Sequence, residues 1–301
     1  MNEPVIRVGI LSAAHIQFRL FGAYRLNDEV LPEGDYSAGF SKGKILFRHE
    51  EYDELLLEAE DFRSGSFELK DVLIGINFHW ERKENQRFQG NLKLIVEGDS
   101  LRAINLVLLE DYLTSVISSE MSATSSGELL KAHAVISRSW LLAQIQKSKS
   151  LEGRGQKYRT FFQSPTEIIR WYDREDHERF DVCADDHCQR YQGITRASTP
   201  LVKKVTAETR GEVLMWGDAI CDARFSKCCG GAMETFENTW EAVPHPYLVS
   251  KADSLRPVSA LPDLSVEAEA DRWIRTSPEA FCNTSDTRVL KQVLNDYDQE
   301  T

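Results

Sequence analysis

Apolar and polar positions alternate in short runs over the first hundred residues, and Gly, Asp, Asn and Lys separate the runs. A period of two is typical of strands that bury one face. The pattern predicts strands over residues 5–11, 34–40, 44–49, 52–59, 66–78 and 91–98. Because no long helical segment separates them, we expect mainly antiparallel pairing in a β-rich subdomain at residues 1–105.

The period changes at Glu110, where apolar residues recur at helical spacing: Tyr112, Leu113, Val116 and Ile117. Glu110 and Asp111 lie at the start of this helix, where acidic side chains complement the helix dipole. A second, longer helical pattern covers residues 125–150, with Ser125 or Ser126 as the N-cap of the helix. These two helices form a central helix pair.

The second half of the chain is less regular. Residues 148–176 are polar and predict an exposed excursion, whereas residues 200–226 predict a second β-rich part. Helical patterns return at 268–275 and 288–297. We therefore expect an α+β fold with a substrate groove between the helix pair and the β-rich parts. Residues 106–255 would form its catalytic core and residues 256–301 a polar, helical and truncated extension.

Composition excludes some classes of function. The 301 residues carry a net charge of −12, which argues against nucleic-acid binding driven by phosphate neutralisation. No stretch approaches the roughly 20 apolar residues of a membrane helix. The N-terminus has no signal-peptide pattern, so we expect either a cytoplasmic protein or a chain whose leader has been removed.

One stretch of the helix pair suggests chemistry. Glu120 lies where the first helix gives way to a loop, and Lys131 and Arg138 are seven positions apart on the second helix. One carboxylate and two cations suit a polar substrate that carries a carboxylate. On spacing alone, however, a helix-end glutamate is usually a cap or solvated, and such a Lys/Arg pair usually forms an exposed face.

All six cysteines lie in the second half, and two of them alternate with histidines: His177, Cys183, His187 and Cys188. Thiolates together with imidazoles favour tetrahedral zinc. The alternatives are buried thiols or a Cys183–Cys188 disulfide. Cys228 or Cys229 could complete the metal shell, while Cys221 and Cys282 are expected to be ordinary, partly buried residues.

The motifs of the chain resemble those of a known family. A Leu-Glu-Asp-Tyr-Leu run at 109–113 is followed by Glu120–Met121 and by the helix Leu130–Arg138. In this order they resemble the SpoIID/LytB domain family of peptidoglycan-processing proteins. Further matches are Ile6–Ile10, Asn105, Asp181–Cys183, His187–Gln189, Tyr191, Gly193, Phe225–Ser226, Gly230–Gly231, Thr235 and Trp240.

The resemblance implies a lytic transglycosylase that acts on glycan strands stripped of stem peptides. It places Glu120 as the general acid and base, in a cell-envelope location, with an amidase as a possible partner. It also implies zinc, in a structural role, at the Cys/His loop. The residues expected to contact substrate are Lys131, Arg138, His133, Tyr191, Ser226 and Trp240.

Two positions depart from the family pattern. His133 replaces a common Gln and is either a substrate contact or a surface histidine, and Lys227-Cys228-Cys229 replaces a Ser-rich run. Two other functions remain open. One is a non-catalytic glycan-binding module that enhances an amidase. The other is a zinc amidase, which is less favoured because catalytic zinc needs an open coordination position.

Overall fold

The computed structural model describes residues 3–76, 78–121, 123, 125–154, 161–170, 177–195, 199–226, 228–254 and 261–293. The chain forms two compact units. The first comprises Met1–Arg138 and His177–Glu212, and the second comprises Ser139–Asp176 and Val213–Thr301. The subdomain limits at residues 105 and 255 stay a prediction. Within the described ranges, no helix combines the length and the apolar character needed to cross a membrane.

Strands dominate the chain up to Leu108, as the alternating pattern predicts. They are β1 (Val5–Ala13), β2 (His15–Phe21), β3 (Tyr24–Leu26), β4 (Glu29–Leu31), β5 (Gly34–Ser41), β6 (Lys44–Phe47), β7 (Glu50–Tyr52), β8 (Glu54–Ala59), β9 (Ser66–Ile74), β10 (Arg82–Gln89), β11 (Asn91–Glu97) and β12 (Ser100–Leu108).

The later elements are mostly helices and very short strands. In chain order they are α1 (Leu109–Glu120), α2 (Gly127–Gly153), β13 (Phe161–Gln163), β14 (Ile168–Arg170), β15 (Val182–Cys183), α3 (Pro200–Glu208), β16 (Met215–Trp216), β17 (Ala219–Ile220), β18 (Ala232–Met233), α4 (Phe236–Thr239), β19 (Lys251–Ala252), α5 (Glu267–Arg275) and α6 (Thr287–Val293). The α+β prediction is confirmed.

Two sheets hold the first unit together. Their strand orders are β15-β1-β12-β11-β8-β3-β4 and β10-β9-β2-β5-β6-β7. Pairing is antiparallel, as expected, except that β15 joins β1 in parallel, with Val8 opposite Val182 and Gly9 opposite Cys183. A Cβ atom at Gly9 would lie 2.7 Å from the Phe180 ring. The missing side chain at Gly9 therefore lets the Cys/His loop pack against the sheet.

The helix pair has the predicted boundaries within a few residues. The Ser126 hydroxyl accepts a hydrogen bond from the Leu129 amide at 3.3 Å, which confirms the predicted N-cap. Ile117 of α1 packs with Leu130 and Ala134 of α2 in a fully buried cluster. Burial of this apolar face is what holds the two helices together in the first unit.

The strand prediction for residues 200–216 is wrong for its first half, which is helix α3. Thr199 caps the helix by accepting the Val202 amide at 3.3 Å, and Pro200 occupies the first turn. Val202 and Val205 then point into the cluster of Ile117 and Leu130. A Thr-Pro start and burial at i, i+3 outweigh the strand preference of valine.

In the described part of the second unit, strands are two or three residues long and form three separate pairs. The tail helices are confirmed by α5 and by α6, and the predicted residues 294–297 lie outside the described ranges. The predicted excursion at 148–176 instead contains the end of α2 and the β13–β14 hairpin. Its residues 155–160 and 171–176 also lie outside the described ranges.

Candidate functional site

Glu120 is the last residue of α1 and is partly buried. Its Oε1 accepts a hydrogen bond from the backbone amide of Arg190 at 2.7 Å. Burial raises the pKa of this carboxyl, the amide and charge of Arg190 oppose the rise in part, and Asp186 adds to it. The net effect is a raised pKa, as a general acid requires.

The end of α1 is fixed by packing on one side and by backbone geometry on the other. Met121 leaves the helix with φ −115° and ψ 158°, and its amide still donates to the Ile117 carbonyl at 3.3 Å. Val116 and Ile117 are fully buried, and Met121 packs against the Ile117 cluster. Glu120 therefore projects from a rigid turn.

The guanidinium of Arg190 is turned towards Asp186 rather than Glu120. Its Nε and Nη2 atoms donate to the Asp186 carboxylate at 2.8 and 2.9 Å, and its Cζ atom lies 4.9 Å from the centroid of the Trp80 ring. Sequence reasoning missed all three residues. The i, i+4 spacing of Asp186 and Arg190 was the one local signal, because the contact with Trp80 joins distant parts of the chain.

Arg138 lies in the core of the first unit, with no exposed side-chain surface. Its Nε and Nη2 atoms donate to the two oxygens of Glu110 at 3.0 and 2.7 Å, and its Nη1 donates to the Glu212 carbonyl at 3.0 Å. A fully buried guanidinium cannot touch a glycan. In this structure Arg138 therefore supports the site by holding α1 against α2, which replaces its predicted role as a substrate contact.

Lys131, by contrast, lies at the surface. It forms ion pairs with Glu208 of α3 at 3.1 Å and with Glu128 at 3.2 Å. Hydrogen bonds to these two carboxylates raise its pKa. Lys131 and Arg138 thus lie on the same side of α2, but Lys131 is partly exposed and Arg138 is fully buried. Of these two residues, only Lys131 can contact a ligand.

His133 and Tyr191 are also buried, so His133 is not a surface histidine. Burial lowers the pKa of His133 to about 4, which keeps the imidazole neutral. The Tyr191 hydroxyl donates to Asn105 at 2.6 Å, and its ring stacks on Tyr112 at 5.0 Å. Tyr112 in turn donates to Gln189 at 3.2 Å, so these side chains form a hydrogen-bonded layer within the core.

Ser226 and Trp240 belong to the second unit. Ser226 is exposed, and the guanidinium of Arg224 lies 4.2 Å from the Trp240 ring centroid. Trp240 is 38 % exposed, whereas Phe236 is buried. The predicted substrate contacts of Ser226 and Trp240 stay predictions.

The four residues of the Cys/His loop come together, as the sequence predicts. The ligand atoms of His177, Cys183, His187 and Cys188 all lie within 4.8 Å of one another. Cys188 Sγ lies 3.4 Å from His177 Nε2 and 3.4 Å from His187 Nδ1, and Cys183 Sγ lies 3.9 Å from His187 Nδ1. The cluster can hold a metal ion.

The donor set and its spacing fit such an ion. A tetrahedral zinc separates its sulfur and nitrogen ligands by roughly 3.3–3.8 Å, close to the distances in the loop. Hydrogen bonds, first from Cys188 and then from His177 and His187, lower the pKa of Cys183 and favour its thiolate. Cys183 and Cys188 are thiols rather than a disulfide, and four ligands are present without Cys228 or Cys229.

A cavity of about 480 Å³ lies in the first unit at the start of α1. Its walls come from α1, α3, the end of β10 and two loops: Gln89, Glu110, Asp111, Thr114, Ser115, Gly193, Ile194, Lys203, Thr206, Ala207 and Arg210. Glu120 lies at the opposite end of α1 and is not part of these walls. The cavity is therefore separate from the candidate acid.

Residues 97–216 match the family described as Stage II sporulation protein, SpoIID. This part of the chain is a SpoIID-family segment. It contains Glu120, the helix pair and the Cys/His loop, so the resemblance read from the motifs is confirmed. Ser226, Trp240 and Trp80 lie outside the SpoIID segment.

Two curated proteins are similar to the chain. An uncharacterized protein of Brachyspira hyodysenteriae is 27% identical over 161 residues, which are 54% of this chain and 36% of the relative. Stage II sporulation protein D of Bacillus subtilis is 27% identical over 152 residues, 50% of this chain and 39% of the relative. The chain thus spans less than two fifths of the length of these relatives.

Proposed function

We propose that the protein is a peptidoglycan lytic transglycosylase with Glu120 as its general acid and base. It would cleave the MurNAc-GlcNAc bond of strands that lack stem peptides and leave 1,6-anhydroMurNAc ends. Two observations support this: the SpoIID segment, which points to a cell-wall function, and the partly buried Glu120 with its raised pKa.

A single carboxyl group is enough for this reaction. Glycoside hydrolases generally need two carboxyl groups, because water must be activated as well as the leaving group protonated. In a lytic transglycosylase the C6 hydroxyl of MurNAc attacks C1 in place of water. Protonated Glu120 would give its proton to the leaving oxygen, and the carboxylate would then accept the C6 hydroxyl proton.

The surroundings of Glu120 suit both steps. Burial keeps a larger fraction of the carboxyl protonated near neutral pH. The Arg190 amide occupies one oxygen at 2.7 Å, fixes the orientation of the group and stabilises the carboxylate once the proton has left. Asp186, which pairs with the Arg190 side chain, raises the pKa of Glu120 and so offsets part of the opposing effect of the Arg190 charge.

The Cys/His loop would hold Zn²⁺ in a structural role. Four protein ligands leave no open position, which is the usual pattern of structural zinc. The loop ends two residues before Arg190, so an ordered loop would keep the amide donor in place for Glu120. A cell-envelope location and an amidase that strips the stem peptides complete the proposal.

The proposal can be tested on amidase-stripped glycan strands by mass spectrometry of the released sugars. The wild type should release anhydro-muramyl products and Glu120→Gln should not. Glu128→Gln, which removes an exposed carboxyl at the start of α2, is the matched control and should keep full activity. If no variant releases sugar but all bind strands equally, the protein is a glycan-binding module instead.

A further inference from the structure

The loop between β9 and β10 presents aromatic side chains at the surface of the first unit. It consists of residues 75, 76 and 78–81 among those described, and we call it the aromatic loop. Phe78 is 51 % exposed and Ile76 is 42 % exposed. The loop lies outside the SpoIID segment, and none of the sequence motifs assigns a function to it.

The aromatic loop is ordered by its own contacts. The Phe78 amide donates to the Gly75 carbonyl at 2.9 Å, and the Phe78 and Trp80 rings stack at 5.5 Å with 14° between their planes. Gly75 has φ +66°, and a Cβ atom there would lie 2.3 Å from the Trp80 ring. Only glycine lets the indole lie on this backbone, so Trp80 is the anchor of the loop.

Two contacts connect the anchor to the candidate acid. The Trp80 ring lies beneath the guanidinium of Arg190 at 4.9 Å, and the Arg190 amide donates to Glu120 at 2.7 Å. The cation–π contact favours one orientation of the Trp80 ring and the Arg190 side chain. The half-exposed Phe78 ring is thus connected to Glu120 through Trp80 and Arg190.

We propose that Phe78 is a stacking platform for one hexosamine ring of the glycan, positioned by Trp80 and Arg190. A pyranose ring has a face of C–H groups that packs on an aromatic face, and its hydroxyls remain in water. The half-exposed Phe78 ring offers such an aromatic surface to solvent. This inference rests on the proposed function for the choice of a glycan as the ligand.

Binding should be measured apart from cleavage, with all variants built on the Glu120→Gln protein and titrated with amidase-stripped strands by calorimetry. Phe78→Ala and Trp80→Ala should each weaken binding roughly three- to ten-fold, and Phe78→Trp should keep it. Tyr52→Ala, which removes an aromatic ring from the β6–β7 hairpin of the same unit, should bind as the parent does.

Unchanged affinity in Phe78→Ala would overturn the platform, because this substitution removes the exposed ring itself. Equal weakening by Tyr52→Ala would overturn it too, since the effect would then be general. Failure of the wild type to release sugar contradicts the proposed function but not the platform, which is judged by binding alone.

A separate observation concerns three cysteines of the second unit, Cys228, Cys229 and Cys282. Backbone hydrogen bonds bring their segments together: the Asp253 amide donates to Gly231, and the Phe281 amide donates to Asp253, each at 3.0 Å. Cys228 and Cys282 are exposed, so the expectation that Cys282 is a partly buried, ordinary residue is wrong.

The three thiols are not equivalent. Burial, with help from the Asp253 carboxylate 3.3 Å from its sulfur, raises the pKa of Cys229 to about 11. Burial also acts to raise the pKa of Cys282, but hydrogen bonds with the two other thiols and with the Gly231 and Gly230 amides outweigh it and lower the pKa. Cys282 is thus the better nucleophile and Cys229 the more firmly protonated thiol.

We infer that Cys228 and Cys282 form a disulfide that ties residues 278–282 to the Gly230–Gly231 segment. The oxidant is a small or protein disulfide. The Cys282 thiolate attacks one of its sulfurs and releases a thiolate; Cys228, as thiolate, then attacks Cys282 and releases the second thiolate. Two protein thiols are oxidised, two protons leave, and one external disulfide is reduced to two thiols.

Oxidised glutathione is a suitable probe, with the zinc-loaded full chain and peptide mapping by mass spectrometry. A Cys228–Cys282 link should form in the wild type and in Cys229→Ser, and it should be absent in Cys228→Ser. Cys221→Ser, which removes a buried thiol of the same unit, should behave as the wild type. A Cys229–Cys282 link, or glutathione retained on Cys282, would overturn the assignment.

Discussion

Two glutamates mark the two ends of α1, and they differ in what surrounds them. Glu110, in the first turn, receives both arms of the buried Arg138 guanidinium at 3.0 and 2.7 Å. Glu120, the last residue, receives one backbone amide and is otherwise raised in pKa by burial. The same residue type on the same helix thus forms an ion pair at one end and has a raised pKa at the other.

This difference shows that the hydrogen-bond partner of each glutamate, and not the helix that carries both, decides what its carboxyl group can do. A bidentate guanidinium stabilises a carboxylate far more than a single neutral amide does. The Glu110 carboxylate therefore has a structural role, because it holds the buried Arg138 guanidinium in the first unit. Glu120 loses part of its solvation on burial, and its hydrogen bond comes from a backbone amide instead of a guanidinium. Its pKa is therefore raised, which favours proton exchange near neutral pH.

Exchanging each glutamate for glutamine should separate the two roles. Glu120→Gln should lower strand cleavage by about 10²–10⁴-fold, since a positioned acid and base contributes that much. Its stability should change little, because the Gln oxygen can still accept the Arg190 amide. Glu110→Gln should instead lower the urea concentration at the unfolding midpoint and affect strand cleavage less. A cleavage loss in Glu110→Gln combined with a stability loss in Glu120→Gln would contradict the comparison.

Arg138→Met should destabilise the protein by roughly 3–5 kcal/mol, because it leaves the Glu110 carboxylate buried without its partner. Urea unfolding followed by tryptophan fluorescence measures the change. Lys131→Met is the matched control on the same helix. Its ion pairs with Glu128 and Glu208 are at the surface, and each such pair is worth about 0–1 kcal/mol.

The double variant Glu110→Gln, Arg138→Met sharpens this prediction. If an uncompensated charge causes the loss, removing both partners should recover part of it. No recovery at all would mean that Arg138 acts through its other hydrogen bond, to the Glu212 carbonyl at 3.0 Å.

Much of the frame of this comparison could be predicted from the sequence. The alternation before residue 108 and the 3.6-residue period of α1 and α2 are local signals, and the ligand set of His177, Cys183, His187 and Cys188 was visible from its spacing alone. The α3 helix was missed because Val202 and Val205 read as strand residues once the Thr199–Pro200 start was overlooked.

What could not be predicted depends on depth and on long-range contacts. Spacing of seven puts Lys131 and Arg138 on one side of a helix, but only the packing of α1 and Glu212 around Arg138 shows that it is buried. Trp80 and Arg190 lie 110 positions apart, and no periodicity connects them. The surroundings of Glu120 therefore had to come from the fold.

Metal removal should affect the Glu120 end of α1 more than the Glu110 end. With free zinc at 100–1,000 times its dissociation constant, binding stabilises a fold by about 3–4 kcal/mol. A chelator should therefore lower the melting temperature and reduce cleavage, because the loop that carries the Arg190 amide loses its cross-link. Re-addition of zinc, with one ion per chain by mass spectrometry, should restore both.

Cys183→Ser should reproduce the effect of the chelator, whereas Cys221→Ser, outside the loop, should leave zinc content unchanged. Full stability and full zinc content in Cys183→Ser would contradict the metal assignment. The Glu110–Arg138 pair does not depend on the loop, so the loss caused by Arg138→Met should be similar with and without zinc.

The smallest predicted effect concerns His133, which lies on α2 between Lys131 and Arg138 and is neutral in the core. Its pKa is about 4 in the folded protein and about 6.5 in an unfolded chain, so protons bind the unfolded state preferentially as pH falls below 6.5. The wild type should therefore lose about 2 kcal/mol of stability from this group between pH 7 and pH 5.

His133→Gln, which cannot titrate, should flatten that part of the stability profile in urea unfolding. His15→Gln, which changes an exposed histidine of the same unit, should not. A profile that stays equally steep in His133→Gln would mean that the pH dependence arises from other groups.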